Sequence, residues 1–374
     1  MLNGDGGAIL VGLADLNVSE SLFSGNRAGG NGGAVYVVAG GIRIDRSRLH
    51  DNAARESGGA IFVDQQSQAG LGNSGLSGNS AGGNGGAVAV RGAKLAVNNA
   101  VFHNNSAHGS GGALAAKQAR MQVVESGFVG NTAGQNGGAV AASGDTAVDL
   151  LFASMSENVA RGDGGAVAAT DGSDADVTGG TYNRNRSTGN GGAIHAGRGS
   201  AANVDGATLT GNVAVNGGAI AANDSTVTVD RSVMNQNKAV RSGGAIAAVN
   251  SRVGVKASLV VNNHAREDGG AVALKGSQFY TKASVYGANS ARNDGGAIAA
   301  KESLAVIDGC FFISNIAGRH GGAISLLDST AGVINSNFYD NQAAGAGNAI
   351  FAKGSSLYLN NNIFGQNQDV VALP

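Results

Sequence analysis

The sequence predicts an all-β fold, a single-stranded parallel β-helix of about 14 coils, each with 26–27 residues and three short strands. The first observation is a tandem motif. Gly-Gly-Ala followed by Val, Ile or Leu opens thirteen times between Gly6 and Gly321, and a degenerate copy opens at Gly347. The second is the constant spacing of 26 or 27 residues between copies. The third is a content of 64 glycines without a 3.6-residue period, which disfavours helices.

The first strand of each coil follows the Gly-Gly pair. Val, Ile or Leu comes after Gly-Gly-Ala, and the residue two positions further on is apolar, as in Val35 with Val37 and Ile246 with Ala248. This period of two indicates a strand with one buried face. Asn, Asp or Ser precedes the glycine pair in twelve of fourteen copies, which is typical of a sharp corner.

The second strand lies ten to eight residues before an asparagine that recurs in each coil. Apolar pairs such as Ile42 with Ile44 and Val227 with Val229 are separated by one polar or small residue. This alternation again predicts a half-buried strand.

The third strand is the segment that ends at this asparagine, with a large apolar residue three positions earlier. Equal coil lengths place like residues above one another, so we expect the apolar side chains to stack inside and the amides to form a hydrogen-bonded ladder. The predicted structural ladder is Asn26, Asn52, Asn79, Asn105, Asn131, Asn158, Asn185, Asn212, Asn237, Asn263, Asn289, Asn315 and Asn341.

Composition narrows the class of protein. The net charge of −1 provides no general attraction for nucleic acid or anionic lipid. The one cysteine, Cys310, excludes an intrachain disulfide and lies in a column of small or polar residues, so we expect it to be a passive inward or corner residue.

The unbroken repeat predicts one β-helix domain over residues 1–374 without obvious end caps. The first residues do not have the pattern of a signal peptide.

The paired motifs resemble the passenger repeats of the polymorphic outer membrane proteins of chlamydiae, and similar repeats occur in other bacterial surface β-helix proteins. The resemblance covers residues 4–367. It implies a right-handed helix, a surface or secreted location, and an adhesin that is exported through an autotransporter barrel and can self-associate. Phe-x-x-Asn is literal at Phe23–Asn26, Phe102–Asn105, Phe128–Asn131, Phe312–Asn315, Phe338–Asn341 and Phe364–Asn367.

A search for catalytic chemistry finds one weak candidate, an acidic patch on the second strand. It consists of Asp149, Asp176, Asp205 and Asp230, and like charges one coil apart could act as an acid/base pair or hold Ca²⁺. The favoured interpretation is that these carboxylates are solvated, and that the positive charge of Lys256 reduces the repulsion between them. The six histidines are scattered, and no cofactor, metal or catalytic residue is predicted.

The first strand carries an alanine-rich face that we expect to point outward as a flat apolar stripe. An exposed stripe of this kind marks an interaction surface, whereas alanine that packs at a crowded corner would explain the same pattern. The possible interaction face comprises Ala87, Ala89, Ala113, Ala115, Ala139, Ala141, Ala166, Ala168, Ala219, Ala221, Ala245 and Ala247.

These observations predict a non-enzymatic structural or adhesive protein of a bacterial surface or the extracellular space. Its expected partner is itself, or a receptor on a host or neighbouring cell, with contact to a membrane only through segments outside this chain. One alternative is a filament subunit that stacks head-to-tail through uncapped end coils. The other is a carbohydrate-active β-helix enzyme that uses the acidic patch.

Overall fold

A computed structural model describes residues 4–373, which form β-strands joined by short turns. The chain divides into two compact units, Met1–Thr188 with Gly199–Ala202, and Gly189–Arg198 with Asn203–Pro374. Each unit contains seven coils, and together these make the 14 turns of the predicted parallel β-solenoid, which is confirmed. The prediction of a single domain is not tested by this division.

The first unit contains four strands in every coil. In chain order they are Ile9–Gly12, Asp15–Ser19, Leu22–Ser24, Arg27–Ala28; Val35–Val38, Gly41–Asp45, Arg48–His50, Ala53–Ala54; Ile61–Val63, Gln68–Gly72, Gly75–Ser77, Ser80–Ala81; Val88–Arg91, Lys94–Asn98, Val101–His103, Ser106–Ala107; Leu114–Lys117, Arg120–Val124, Gly127–Val129, Thr132–Ala133; Val140–Ser143, Ala147–Leu151, Ser154–Ser156, Val159–Ala160; Val167–Thr170, Asp174–Thr178, Thr181–Asn183 and Arg186–Ser187.

The second unit repeats this order. Its strands are Ile194–Gly197, Ala201–Asp205, Thr208–Thr210, Val213–Ala214; Ile220–Asn223, Thr226–Asp230, Val233–Asn235, Lys238–Ala239; Ile246–Val249, Arg252–Lys256, Leu259–Val261, His264–Ala265; Val272–Lys275, Gln278–Lys282, Val285–Gly287, Ser290–Ala291; Ile298–Lys301, Leu304–Asp308, Phe311–Ile313, Ile316–Ala317; Ile324–Leu327, Thr330–Ile334, Asn337–Tyr339, Gln342–Ala343; Ile350–Lys353, Ser356–Asn360, Ile363–Gly365 and Val371–Ala372.

Strands at the same place in successive coils pair in parallel, and within each unit they form four sheets that we call A to D in the order of the strands in a coil. In sheet B, for example, Ile42 pairs with Ala69 and Ala69 with Leu95, so like positions stack. The expected three strands per coil are therefore corrected to four. The additional strand has two residues, such as Arg27–Ala28, and is too short to show alternation in sequence.

The core of each unit consists of stacked side chains from all four sheets. In the first unit Phe102 and Phe128 stack with ring centroids 4.7 Å apart. In the second unit Phe312 stacks between Tyr286 and Phe338 at 5.0 and 4.8 Å. These rings are fully buried, and offset stacking adds to the burial of their apolar area.

The glycine pair makes a corner that only glycine can occupy. Gly85 has φ of +67°, in the left-handed region that disfavours a side chain. A Cβ on Gly86 would collide with the carbonyl oxygen of Gly112 in the next coil. The glycine pair therefore allows the backbones of successive coils to approach closely.

Candidate functional surfaces

The asparagines predicted to form a ladder do so in the first unit. The Asn79 Nδ2 donates to Asn105 Oδ1 at 2.9 Å, and Asn105 Nδ2 donates to Asn131 Oδ1 at 3.0 Å. The backbone N–H of Asn79 also donates to Asn105 Oδ1, at 3.1 Å. The second hydrogen of Asn105 Nδ2 goes to the Leu76 carbonyl at 2.9 Å. Each interior amide therefore uses both of its donors and both acceptor sites.

The second unit contains the same ladder. Asn263 Nδ2 donates to Asn289 Oδ1 and Asn289 Nδ2 to Asn315 Oδ1, each at 3.0 Å. Asn185 in the first unit and Asn212 in the second are also fully buried. A buried amide without partners would be costly, so this complete pairing explains how a polar column stays inside an apolar core.

Serine forms further ladders that the sequence reasoning did not identify. The Ser47 Oγ accepts the backbone N–H of Ser21 at 3.0 Å and donates to the Asp45 carbonyl at 2.8 Å. Cys310 occupies the corresponding place in the second unit, where its Sγ lies 3.5 Å from the Asp308 carbonyl. The Cys310 side chain is fully buried, so the expected inward position is confirmed, and burial raises the pKa of its thiol.

The residue before each glycine pair takes part in another ladder. In the first unit Asn84 Oδ1 accepts the Ser110 N–H at 2.7 Å, and in the second unit Asp294 Oδ1 accepts the His320 N–H at 3.0 Å. These acceptors explain the preference for Asn, Asp and Ser at this corner better than positive φ does, because the glycine after them has the positive φ.

The alanine face differs from the expectation. The twelve alanines are all buried, none more than 8 % exposed. The corner folds back over them: a Cβ on Gly85, for example, would lie 2.9 Å from the Cβ of Ala89. The prediction of an exposed apolar stripe is therefore wrong, and alanine packs here at a crowded corner.

The four acidic residues fall in two units. In the first, Asp149 stands opposite Asp176 on the neighbouring strand, and the Arg120 guanidinium lies 3.8 Å from Asp149. In the second, Arg231 bonds to Asp205 and lies 3.4 Å from Asp230. Each pair of carboxylates thus lies beside a guanidinium with an exposed side chain, which is the arrangement of solvated surface ion pairs.

A buried ionic cluster in the first unit was also missed from sequence. Asp64 receives two hydrogen bonds from Arg91, at 3.0 and 2.8 Å, and one from the Tyr36 hydroxyl at 2.7 Å. Burial alone would raise the pKa of Asp64, but these bonds hold it below its usual value. The Tyr36 ring stacks on Phe62 at 5.5 Å, which covers the cluster.

An open groove of about 670 Å³ lies over sheet B of the first unit. Its lining includes Asp15, Arg43 and Asp45, and Gly70 leaves open space beside Arg43. These groups can hydrogen-bond to a polar ligand, and the carboxylates of Asp15 and Asp45 are the groups of this lining that could accept a proton. Across residues 4–373, no three His, Cys, Asp or Glu side chains converge as metal ligands.

Two stretches of the chain, residues 20–38 and 99–117, match the model of the Chlamydia polymorphic membrane protein repeat. The resemblance expected from the motifs is confirmed by this match. No curated protein matches the chain. Among solved structures, the periplasmic alginate epimerase AlgG aligns at 12% identity over 90% of this chain and 77% of that one, with a TM-score of 0.37. This likeness is too weak to bear on function.

The described residues contain no helix long and apolar enough to cross a membrane.

Proposed function

We propose that the chain is a non-enzymatic structural or adhesive β-helix protein of a bacterial surface or the extracellular space, and that it self-associates. The observation that carries this proposal is the match of two of its stretches to a membrane-protein repeat of the chlamydial surface family. The fold agrees with such a role, because ladders satisfy the interior of each unit and leave long outer sheets available for partners. The expected partners are further copies of the chain or a receptor on a host or neighbouring cell.

The test uses beads coated with the purified chain. We expect them to cluster with one another and to adhere to cultured epithelial cells, both counted by flow cytometry. The matched control is a chain that lacks residues 112–124, half of one coil, because this deletion breaks the register of the ladders while it removes only 13 of the 374 residues. Coated beads that neither cluster nor adhere more than these controls would refute the proposal.

The absence of catalysis is part of the proposal and has its own test. The wild-type chain is incubated with a panel of neutral and acidic polysaccharides, and new reducing ends and unsaturated uronates are measured. We expect no turnover above buffer. Turnover that disappears in the folded Asp176→Asn/Asp205→Asn variant would replace this proposal by the carbohydrate-active enzyme.

A further inference from the structure

The outer face of sheet C in the second unit is apolar. Phe311 and Ile313 point outward from the same strand, and parallel pairing places Val285 and Asn337 beside Phe311. The six large apolar side chains of this region, which we call the sheet C patch, are Leu259 at 39%, Phe311 at 45%, Ile313 at 38%, Ile316 at 50%, Tyr339 at 46% and Ile363 at 67% exposed. Five lie on sheet C, and Ile316 lies on the adjoining strand of sheet D.

Small residues lie between the large ones. Gly287 pairs with Val261 on one side and Ile313 on the other, and Gly365 pairs with Tyr339. The position of a Cβ on Gly287 is 3.3 Å from Val261, so that side chain leans over the glycine. Two shallow depressions, at Gly287 and Gly365, therefore lie among the projecting side chains, and successive coils are about 4.8 Å apart.

The six side chains of the patch are uncharged, and the carboxylate of Asp340, in the turn after Tyr339, lies at the border between sheets C and D. The outward positions of sheet C in the second unit, from Thr208 to Ile363, contain no Asp, Glu, Lys, Arg or His. The same positions in the first unit include Arg48, His50 and His103. The fold therefore does not require an uncharged sheet C, and the apolar face of the second unit needs another explanation.

The size of the patch fits a protein interface. At their observed exposures the six side chains present on the order of 500 Å² of surface, in the upper range of apolar patches on monomers. A standard interface buries roughly 800 Å² on each partner, including a polar rim. The six side chains supply more than half of this area, and bordering polar residues such as Asn337 would form the rim.

We propose that two copies of the chain pair face to face through the sheet C patch, related by a two-fold axis. This inference rests on the self-association in the proposed function and names the surface for it. On a two-fold interface each residue near the axis meets its own equivalent, so any charge there would face a like charge. The uncharged outward positions of sheet C meet this condition, and two sheets that pack face to face lie about 10 Å apart.

The test is sedimentation equilibrium of the full chain from about 1 to 100 μM. We expect a monomer–dimer equilibrium in this range. Phe311→Lys/Ile313→Lys should raise the dimer dissociation constant by about 100-fold or more, because the charges would be buried without partners. The milder variant Phe311→Thr/Ile313→Thr keeps strand-forming residues and should raise the dimer dissociation constant about 10-fold.

The matched control is Val101→Lys, at an exposed outward position on sheet C of the first unit. This variant should leave the dimer dissociation constant unchanged.

Circular dichroism confirms that each variant is folded. A wild-type chain that stays monomeric throughout overturns the inference. Association that the Phe311 and Ile313 variants leave intact also overturns it, while self-association itself stands and uses another surface. A monomer that floats with phosphatidylcholine vesicles, and loses this in Phe311→Lys/Ile313→Lys, would assign the patch to a lipid surface instead. Beads that still adhere to cells in any of these cases preserve the adhesive part of the proposed function.

Discussion

At the scale of single residues, the asparagine column carries the largest concentration of buried polar groups. Asn105 is the acceptor for two donors of Asn79 and the donor to Leu76 and Asn131. Its position in the middle of the first unit leaves no water to replace a lost partner, since its side chain is fully buried.

We therefore predict that Asn105→Ala lowers the free energy of unfolding by at least about 3 kcal/mol, because several buried donors and acceptors lose their partners together. Urea unfolding followed by circular dichroism measures the change. The control is Asn98→Ala, an exposed position of sheet B, which should stay within about 0.5 kcal/mol of wild type. Equal effects of the two substitutions would show that the ladder does not stabilise the fold.

The Asp64 cluster makes stability depend on pH. The folded pKa of Asp64 lies below its usual 3.8, so the ionised carboxylate stabilises the fold above that pH. This contribution is lost as the pH falls from 3.8 through the lower folded pKa. We expect Asp64→Asn to unfold at lower urea than wild type at pH 7, and the difference to shrink at pH below 3.8. Tyr36→Phe, which removes one of the hydrogen bonds to Asp64, should weaken this pH dependence without abolishing it. A difference that is constant with pH would contradict the assignment.

At the scale of elements, the sequence predicted those strands that are long enough to alternate. Gly41–Asp45 coincides with the Ile42 and Ile44 pair, whereas a two-residue strand such as Arg27–Ala28 shows no period. Exposure is also hard to predict from alternation. Alternation predicts on which side of a strand a side chain points, but it does not predict that a neighbouring corner covers that side chain, as the Gly85 corner covers Ala89. The interval between Gly58 and Gly85 is 27 residues, one more than most intervals, and this longer coil is the one that contains Asp64.

The turns between sheets B and C contain non-glycine residues in the left-handed region. Ala283 has φ of 50°, and the equivalent turn one coil later uses Gly309 at φ of 63°. We predict that Ala283→Gly raises the free energy of unfolding by about 0.5 to 1 kcal/mol, because the relief of strain exceeds the added entropy of the unfolded chain. Ala96→Gly, inside the strand Lys94–Asn98, should lower it by a similar amount. Thermal unfolding of both variants tests the prediction, which fails if the two changes have the same sign.

At the scale of the whole molecule, the first unit is a series of equivalent coils that contact their neighbours. Removal of residues 112–137 joins Gly111 to Gly138 and restores the Gly-Gly-Ala corner. It also brings Asn105 next to Asn158 in the ladder. We predict that this deletion folds with an unchanged circular dichroism spectrum per residue, because each coil depends on its nearest neighbours. Removal of residues 112–124 should disrupt folding, since it removes the strands Leu114–Lys117 and Arg120–Val124 and leaves their partner strands in the neighbouring coils unpaired. Similar spectra for the two deletions would contradict this view.

The hydrogen-bond ladders also give each unit a dipole along the direction in which its coils stack. In the first unit Asn26 Nδ2 donates to Asn52 Oδ1, and in the second Asn315 Nδ2 donates to Asn341 Oδ1, so the acceptor carbonyl of each ladder amide points toward the earlier coil. The serine hydroxyls accept in the same sense. Aligned dipoles sum, as they do along an α-helix, to a negative potential at the first coil of a unit and a positive one at its last. Contacts between coil ends are therefore electrostatically favourable only when a positive end meets a negative one.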